Sequence, residues 1–472
     1  MQREVDSKLK KIDRKKLKIF FLFLGISTLC IFILTNNILA ADKSPLLRVG
    51  IFLNQNEINI SGDGLFKIYN LESKGLVSEE NNKVIKMSPH NKGIEIIGKG
   101  VYTGPINIIP AGNTKIIVII NGQKYRYRGN IEVVFDKNNK KLNIINIIGI
   151  EEYLYGVLKK EISPQWPAEA LKAQAVAART FAIFNMNKYI DQGYNICATT
   201  NSQAYGGINH EDPLTNRAVD ETRGIIMVYK NDPINAVYHS DSGGYTEDSE
   251  NVWSSFVPYL RSVKSDFEEL VSPPNHAWAY SITKEELTGK LKKQGYEIDQ
   301  VISIELVKKN QAGRVNDLTF ISKNNKIINM KANDFRKLIG SDLVRSTLFN
   351  VKIMGEELII EEGKEEKKEN VKEEQKESVK EVLEQKKDWT IKELIELMKN
   401  RIEEREKGKE RELILPAIKA TNIPLSFVFS GLGHGHGVGM SQWGAYGMSL
   451  KGYNFQDILK YYYQGINIIK KY

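Results

Sequence analysis

Cysteine is nearly absent from this sequence of 472 residues, which contains only Cys30 and Cys197. Cys30 lies in an apolar run near the N-terminus, so the rest of the chain has one cysteine and cannot close an intramolecular disulfide. The composition is otherwise ordinary, with 41% hydrophobic and 26% charged residues. We therefore expect one large domain or two to three smaller ones, stabilised by an ordinary hydrophobic core.

The sequence also lacks a basic face interleaved with aromatic residues, although its net charge is +9. Five of these nine charges come from residues 1–18, which form a basic tail that we expect on the cytoplasmic side of a membrane. The rest of the chain is close to neutral. No nucleic-acid partner is therefore predicted.

An apolar segment, residues 19–41, follows the basic tail. Its uninterrupted part, Ile19–Leu34, is shorter than the ~20 residues of a typical transmembrane helix, so residues 35–41 would have to help to span the bilayer. We predict a single-pass anchor in the cell membrane. The alternative is a signal peptide cleaved near Ala40 or Ala41, which would leave a secreted protein. In both cases the body of the chain lies outside the cytoplasm, because positive charge before an apolar run keeps the N-terminus inside.

The periodicity of the body predicts an α+β fold. β-branched runs separated by Gly, Asn and Asp turns indicate a β-rich part over residues 42–148. A mixed core is predicted over residues 149–355 and is completed by residues 416–472, after a Lys/Glu-rich insertion at residues 356–415. The centre of this core should be a helix over Pro167–Tyr189, because that segment is rich in alanine and apolar nearly all round.

Two charged side chains stand in apolar surroundings. Glu161 lies at the end of an apolar helix and near Trp166, where partial burial would favour the protonated form that a general acid needs. An exposed glutamate at a helix end is the alternative. Arg179 lies inside the alanine-rich helix, where an unpaired guanidinium would be costly. It must therefore form a buried ion pair or point into a polar cleft.

A serine- and glycine-rich string, Ser240-Asp-Ser-Gly-Gly244, follows a predicted strand. It is similar to the Gly-Asp-Ser-Gly-Gly of trypsin-like proteases, but the first glycine is missing and no Ala-Ala-His segment precedes it. We therefore reject a serine-protease triad. Ser240 and Ser242 are instead candidates to present hydroxyls to a hydroxyl-rich ligand such as a sugar.

Glycine occupies every second position from Gly431 to Gly439. This density implies a close approach of backbone or ligand, and its spacing is not that of a dinucleotide-binding loop. His434 and His436 would lie on one face of an extended chain. They could bind a metal or donate hydrogen bonds to a ligand, and contacts with the backbone are the alternative.

Four stretches carry a resemblance to a known family. They are Glu152-Tyr-Leu-Tyr-Gly-Val-Leu-Lys-Lys-Glu161 with the run Trp166–Thr180, Asn201-Ser-Gln-Ala-Tyr-Gly206, His239-Ser-Asp-Ser-Gly-Gly-Tyr-Thr246 with Glu250-Asn-Val-Trp253, and Gly433-His-Gly-His-Gly-Val-Gly-Met-Ser-Gln-Trp-Gly-Ala445. Together they resemble the stage II sporulation protein D / amidase-enhancer family. The resemblance runs from about Leu47 to Gly465 and leaves out the charged insertion.

The resemblance implies a lytic transglycosylase that acts on peptidoglycan. Such an enzyme cleaves the bond between N-acetylmuramic acid and N-acetylglucosamine in peptide-stripped glycan strands and leaves 1,6-anhydro ends. The family's catalytic glutamate falls on Glu161, which would serve first as acid and then as base, so that no second carboxylate is required. Residues of the cleft are suggested at Tyr205, Ser242, His434, His436 and Gln442. Ser240 and Arg179 complete the predicted substrate-binding set.

The partners implied by the resemblance belong to the cell wall. They are the glycan strands themselves, an N-acetylmuramoyl amidase that would strip stem peptides, and other sporulation membrane proteins. The implied setting is cell-wall remodelling, including engulfment during sporulation.

One feature of the family is missing. Some sporulation members bind zinc through a histidine and two cysteines near the position of Cys197. Here Thr199-Thr-Asn-Ser-Gln203 has no second cysteine and Asp191-Gln-Gly-Tyr-Asn195 has no histidine. One cysteine cannot build a structural zinc site, so we predict no metal and no cofactor.

Two other functions remain open from the sequence. The chain could be a non-catalytic glycan-binding module that stimulates an N-acetylmuramoyl amidase. It could also be a membrane scaffold that recruits partners through the insertion at residues 356–415. We predict that this insertion is a solvated spacer with one amphipathic helix over Trp389–Arg405, rather than a docking element.

Overall fold

A computed structural model describes residues 44–310, 312–362 and 418–472. The predicted basic tail, the apolar segment at residues 19–41 and the amphipathic helix at Trp389–Arg405 lie outside the described residues. Within those ranges, no helix combines the length and the apolar character that crossing a bilayer would need. The described part mixes helices and strands, which confirms the prediction of a mixed α and β fold.

The first hundred described residues form strands, as their β-branched runs predict. A seven-stranded sheet has the order β13-β1-β12-β11-β8-β3-β4, and a six-stranded sheet has the order β10-β9-β2-β5-β6-β7. Isoleucine, leucine and valine side chains of both sheets share one core with the helix that follows. The strands are β1 (Leu46–Gln55), β2 (Ile58–Gly62), β3 (Leu65–Asn70), β4 (Gly75–Asn81), β5 (Ile85–His90), β6 (Gly93–Ile96), β7 (Gly100–Tyr102), β8 (Ile106–Pro110), β9 (Ile116–Ile120), β10 (Gln123–Tyr127), β11 (Asn130–Asp136), β12 (Lys141–Gly149) and the later β13 (Ile196–Cys197).

Two helices follow β12 directly. Helix α1 (Ile150–Glu161) ends at Ile162, whose backbone is extended, and helix α2 (Ala168–Phe184) begins after Pro167. Helix α2 is shorter than the predicted Pro167–Tyr189, because Asn185 caps it. Its alanines face two cores at once: some pack with α1 and the N-terminal sheets, and others pack with the C-terminal segments. This is the central buried helix that the sequence predicts.

Short elements surround α2 and pair segments that lie far apart in the sequence. Helix α3 (Pro213–Glu221) precedes a three-stranded sheet of β14 (Ile225–Tyr229), β15 (Asp232–Pro233) and β24 (Asn467–Lys470). Strand β16 (Tyr238–His239) pairs in parallel with β23 (Met440–Ser441), although two hundred residues of sequence separate them. The helices of this region are α4 (Ser249–Trp253), α7 (Gln442–Leu450) and α8 (Phe455–Tyr462).

A third core lies between β16 and β23 in the sequence. It consists of two three-stranded sheets and two helices, and Phe427 and Phe429 lie at its centre. Strands β21 and β22 pair from Phe349 to Glu362, where Glu362 lies opposite Ile418. The elements are β17 (Ala277–Thr283), α5 (Lys284–Lys293), β18 (Val301–Lys309), β19 (Val315–Ser322), β20 (Ile327–Lys331), α6 (Ala332–Ile339), β21 (Phe349–Glu362) and β22 (Ile418–Leu432).

Candidate active site

Glu161 is the last residue of α1, and its side chain is half-buried. The backbone N–H of Ala204 donates a hydrogen bond to its Oε1 at 3.3 Å. Burial raises the pKa of Glu161 above its ordinary value, and this outweighs the Ala204 N–H, Lys160 and the Tyr238 hydroxyl, each of which lowers it. A carboxyl that holds its proton more tightly than usual while remaining accessible has the properties of a general acid.

A network of hydrogen-bonded polar side chains lies next to this carboxyl. Gln203 donates from Nε2 to the Tyr238 hydroxyl oxygen at 3.0 Å and to the carbonyl of Ala178 at 3.3 Å. The Tyr153 hydroxyl donates to Oε1 of Gln203 at 3.2 Å. Because the Tyr238 oxygen already accepts a hydrogen bond, its own proton is available to Glu161. Sequence reasoning missed Gln203, Tyr238 and Tyr153, although all three lie in or beside the motifs.

The glycine-histidine segment ends next to this network. Parallel pairing places Tyr238 opposite Met440 and His239 opposite Ser441, and Gln442 then begins α7. The buried Gln442 donates from Nε2 to Oε1 of Gln174 on α2 at 3.4 Å. Tyr238 thus links Glu161 to the C-terminal segment. The structure therefore brings the predicted acid and the end of the glycine-rich segment into one region.

Three aromatic side chains lie beside α7. Trp166, which follows α1, stacks on Tyr446 with ring centroids 5.1 Å apart and an interplanar angle of 24°. Its ring also lies 4.8 Å from that of Trp443. All three residues are half-buried. Partly exposed aromatic faces in this position can pack against the apolar face of a sugar ring. Of the three residues, only Trp166 was predicted from the sequence to lie near Glu161.

The alternating glycines are required by the backbone. Gly433, Gly435, Gly437 and Gly439 all have positive φ angles, of 83°, 122°, 84° and 74°. A Cβ atom on Gly439 would lie 2.1 Å from the carbonyl oxygen of Val237. The glycine density therefore reflects tight packing of this segment against β16, which is one of the two explanations that the sequence left open.

The two histidines of this segment have different surroundings. The His436 ring lies 5.1 Å from Trp253 and 5.6 Å from His239, and its Nδ1 accepts the N–H of Val438 at 3.0 Å. Burial, followed by the charges of two arginines, lowers the pKa of His436 to about 3, so the ring is neutral. His434 is half-buried, and its backbone pairs with that of Asp241. A backbone N–H thus occupies the Nδ1 atom of His436. This is the contact with the backbone that the sequence left open as an alternative to binding a metal or a ligand.

The structure places Ser240, Ser242 and Tyr205 differently from one another. Ser240 is half-buried and accepts the N–H of Trp443 on its carbonyl at 3.1 Å, so it borders the aromatic group. Ser242 is fully buried, and its hydroxyl accepts the N–H of Gly244 at 3.2 Å. Tyr205 is 6% exposed and donates its hydroxyl to Asn146 at 2.8 Å. Because both side chains are buried and hydrogen-bonded to protein groups, the structure does not expose Ser242 and Tyr205 for the predicted contact with a glycan.

Arg179 takes the buried-ion-pair alternative. Its guanidinium donates to both carboxylate oxygens of Glu151, at 2.9 Å from Nε and 2.7 Å from Nη2, and both side chains are 0% exposed. The remaining nitrogen donates to the Ile225 carbonyl at 3.2 Å. The prediction of Arg179 as a substrate-binding residue is corrected here, since a fully enclosed guanidinium cannot contact a glycan.

Cys197 has hydroxyl neighbours. Its Sγ lies 3.2 Å from Oγ1 of Thr199 and 3.4 Å from Oγ of Ser202. Burial is the largest single effect on the pKa of this thiol and raises it. The hydrogen bonds with Ser202 and Thr199 act in the opposite direction, and the net result is a lowered pKa.

Comparisons with known proteins test the family resemblance that the sequence motifs indicate. Residues 138–229, which include Glu161 and the Cys197 region, match the family described as Stage II sporulation protein. Together with the named relatives below, this match confirms the predicted resemblance to the stage II sporulation protein D / amidase-enhancer family.

Individual relatives extend beyond that domain. An uncharacterized protein of Brachyspira hyodysenteriae is 27% identical over 436 residues, which are 92% of this chain and 95% of that protein. The stage II sporulation protein D of Bacillus subtilis is 28% identical over 336 residues, 68% of this chain and 74% of that protein. The amidase enhancer of Bacillus subtilis is 28% identical over 320 residues, 67% of this chain, but these cover only 40% of that longer protein.

Proposed function

We propose that this protein is a peptidoglycan lytic transglycosylase and that Glu161 is its acid and base. The observation that carries the proposal is the half-buried Glu161 carboxyl, whose raised pKa and contact with Tyr238 suit proton donation. The neighbouring Trp166, Trp443 and Tyr446 offer aromatic surface for sugar rings. The names of the relatives fit a role in the cell wall during sporulation.

The reaction can be written with this one carboxyl. Protonated Glu161 gives its proton to the oxygen that links N-acetylmuramic acid to N-acetylglucosamine, and the bond from the muramoyl C1 to that oxygen breaks. The muramoyl C6 hydroxyl oxygen then bonds to C1, while the Glu161 carboxylate takes the hydroxyl proton. The products are a 1,6-anhydromuramoyl end and a free hydroxyl on N-acetylglucosamine, and Glu161 ends protonated again. Tyr238 supports the carboxylate form between the two steps by donating a hydrogen bond.

The location of this activity is part of the proposal. A membrane anchor at residues 19–41 would hold the body on the cell-wall side of the membrane. The substrate would be glycan strands without stem peptides, so an N-acetylmuramoyl amidase is the partner that would prepare it.

The test is the chemistry of the product ends. Full-length protein is incubated with peptide-free glycan strands, and the fragments are analysed by mass spectrometry. We expect 1,6-anhydromuramoyl ends, which are lighter than reducing ends by one water molecule. Reducing ends would show hydrolysis instead and would refute the proposed chemistry.

A second candidate function rests on one comparison. Because a relative is named amidase enhancer, the second candidate is a non-catalytic glycan-binding protein that stimulates an N-acetylmuramoyl amidase. In that case the protein alone would yield no fragments, but it would bind strands and increase peptide release when a purified amidase is added.

Replacing Tyr238 with phenylalanine should shift the pH dependence of cleavage. The Tyr238 hydroxyl lowers the pKa of Glu161, so its removal leaves burial less opposed and raises that pKa further. The first step needs protonated Glu161, and the rate therefore falls as pH rises through this pKa. We expect the alkaline limb of the rate profile to move to higher pH in Tyr238→Phe, measured from the initial rates of anhydro-end formation.

The matched control is Tyr461→Phe. The Tyr461 hydroxyl donates to the carbonyl of Lys264 at 2.6 Å, outside the Glu161 network. Its pH profile should overlay that of the unmodified protein. An unchanged alkaline limb in Tyr238→Phe would argue against a hydrogen bond between Tyr238 and the catalytic carboxyl.

A further inference from the structure

Two carboxylates and a histidine converge near the glycine-histidine segment. Asp241 lies two residues after β16, Glu268 lies in a 3-10 turn over Asp266–Leu270, and His276 immediately precedes β17. One ligand atom from each residue lies within 4.8 Å of the other two. Asp241 and Glu268 are 1% and 0% exposed, whereas the His276 side chain is 32% exposed and gives the cluster an opening to solvent.

The backbone orients both carboxylates. The N–H groups of Ser242 and Gly244 donate to Oε1 and Oε2 of Glu268 at 2.9 and 3.1 Å. The N–H of Gly243 donates to Oδ1 of Asp241 at 2.9 Å, and Oδ2 of Asp241 is hydrogen-bonded to Nδ1 of His276 at 2.8 Å, a contact that a bound metal would replace. Hydrogen bonds of this kind to carboxylates are the outer contacts that orient the ligands of a metal site.

Two carboxylates lie close together in the buried part of the cluster. Two buried carboxylates in contact repel each other unless a proton or a cation lies between them. The nearby cation Arg314 is fully buried, and its guanidinium donates to the carbonyls of Ser242 and Tyr245 and to the hydroxyl of Thr347. Those hydrogen bonds go to neutral oxygens, and the charge of Arg314 acts on Asp241 and Glu268 through space rather than by direct contact. A small divalent cation between the carboxylates would balance their charge directly.

We propose that Asp241, Glu268 and His276 bind a zinc ion or a similar divalent transition metal. One imidazole nitrogen and two carboxylate oxygens form a set of three protein ligands that suits such ions, with water in the fourth position on the His276 side. This proposal departs from the expectation of no metal, which rested on the missing second cysteine near Cys197. It does not depend on the proposed transglycosylase activity.

The metal would connect three segments that border the candidate active site. Ser441 donates its hydroxyl to Glu268 and also caps α7 by accepting the N–H of Gly444 at 3.1 Å. The backbone of Asp241 pairs with that of His434. A metal bound here would thus connect the turn after β16, the glycine-histidine segment and the start of α7, where Gln442 and Trp443 lie.

The test is zinc binding by the full chain. The protein is stripped with a chelator, and zinc chloride is titrated in competition with a chromophoric chelator, while the melting temperature is recorded with and without zinc. We expect one zinc ion per chain and a higher melting temperature with zinc. Asp241→Asn and His276→Gln should each bind zinc roughly tenfold or more weakly. His90→Gln and Cys197→Ser are the matched controls, since they remove a potential ligand elsewhere and should bind zinc like the unmodified protein.

The outcomes separate the alternatives. If the unmodified protein binds no zinc, or if His276→Gln binds it with unchanged affinity, the proposal is wrong. Loss of zinc in Cys197→Ser would place the metal at another site and would also overturn it. Because His276 is partly exposed, His276→Gln should retain the melting temperature of the zinc-free protein, and it decides the test if Asp241→Asn does not fold.

Discussion

Changing Glu161 to glutamine should abolish the formation of 1,6-anhydro ends while leaving glycan binding intact. The amide has no acidic proton to give to the glycosidic oxygen and cannot accept one from the muramoyl C6 hydroxyl. Loss of general acid–base catalysis alone lowers rates by about 10²–10⁴-fold. We expect at least this decrease in kcat, measured by mass spectrometry of the fragments at several pH values.

The fold should tolerate this change. The glutamine oxygen can still accept the Ala204 N–H, and the side chain keeps its size. Glu161→Asp provides a second variant, because it retains a carboxyl but withdraws it by one methylene, and misplacement of this order can cost ~10²-fold in rate.

The matched control is Glu221→Gln. The carboxylate of Glu221 forms surface ion pairs with Lys172 and Arg217 and takes no part in the proposed site. Its cleavage rate should equal that of the unmodified protein. Equal rates for Glu161→Gln and the unmodified protein would rule out Glu161 as the catalytic acid, whereas binding without cleavage by both would favour the amidase-enhancer function.

Of the substitutions proposed here, Arg179→Met should produce the largest decrease in the free energy of unfolding. The change leaves the Glu151 carboxylate fully buried without its cation, although the Tyr472 hydroxyl and the Gly224 N–H still donate to it at 2.7 and 3.2 Å. Breaking a buried ion pair by removing one partner costs about 3–5 kcal/mol. We expect a decrease of this size in the free energy of unfolding, measured by urea titration and followed by tryptophan fluorescence.

Two further variants separate the ion pair from the volume of the side chain. Arg179→Met combined with Glu151→Leu removes both charges and should recover part of the loss, because no unpaired charge remains in the core. Arg217→Met breaks an exposed pair with Glu221 and should cost no more than about 1 kcal/mol. An equal, small effect of Arg179→Met and Arg217→Met would contradict the structural role of Arg179.

Much of the local structure follows from the sequence. The β-branched runs of the N-terminal part predict strands such as β9 and β11, and the alanine-rich segment predicts the buried helix α2. Glu161 could be singled out because the end of an apolar helix and a tryptophan lie beside it in the chain. Patterns of this kind are local, since the period of apolar residues reports which face of an element is buried.

Partners that lie far apart in the chain were not predictable. Gln203 and Tyr238 reach the Glu161 region from different elements, and Ser242 and Tyr205 turned out to be buried because other segments cover them. The same holds for Asp241, Glu268 and His276, which three separate segments bring together. No periodicity connects such residues, so only packing reveals them.

The sequence by itself determined the kinds of elements and the family motifs, and it identified Glu161 as the candidate acid, because each of these depends on residues that are neighbours in the chain. The tertiary structure decided what those residues contact. It paired Arg179 with Glu151, placed Tyr238 against Glu161, and gave the alternating glycines their left-handed backbone against β16. The physical reason is that burial and hydrogen bonding across the fold, rather than residue type, set the charge, proton affinity and accessibility of each group.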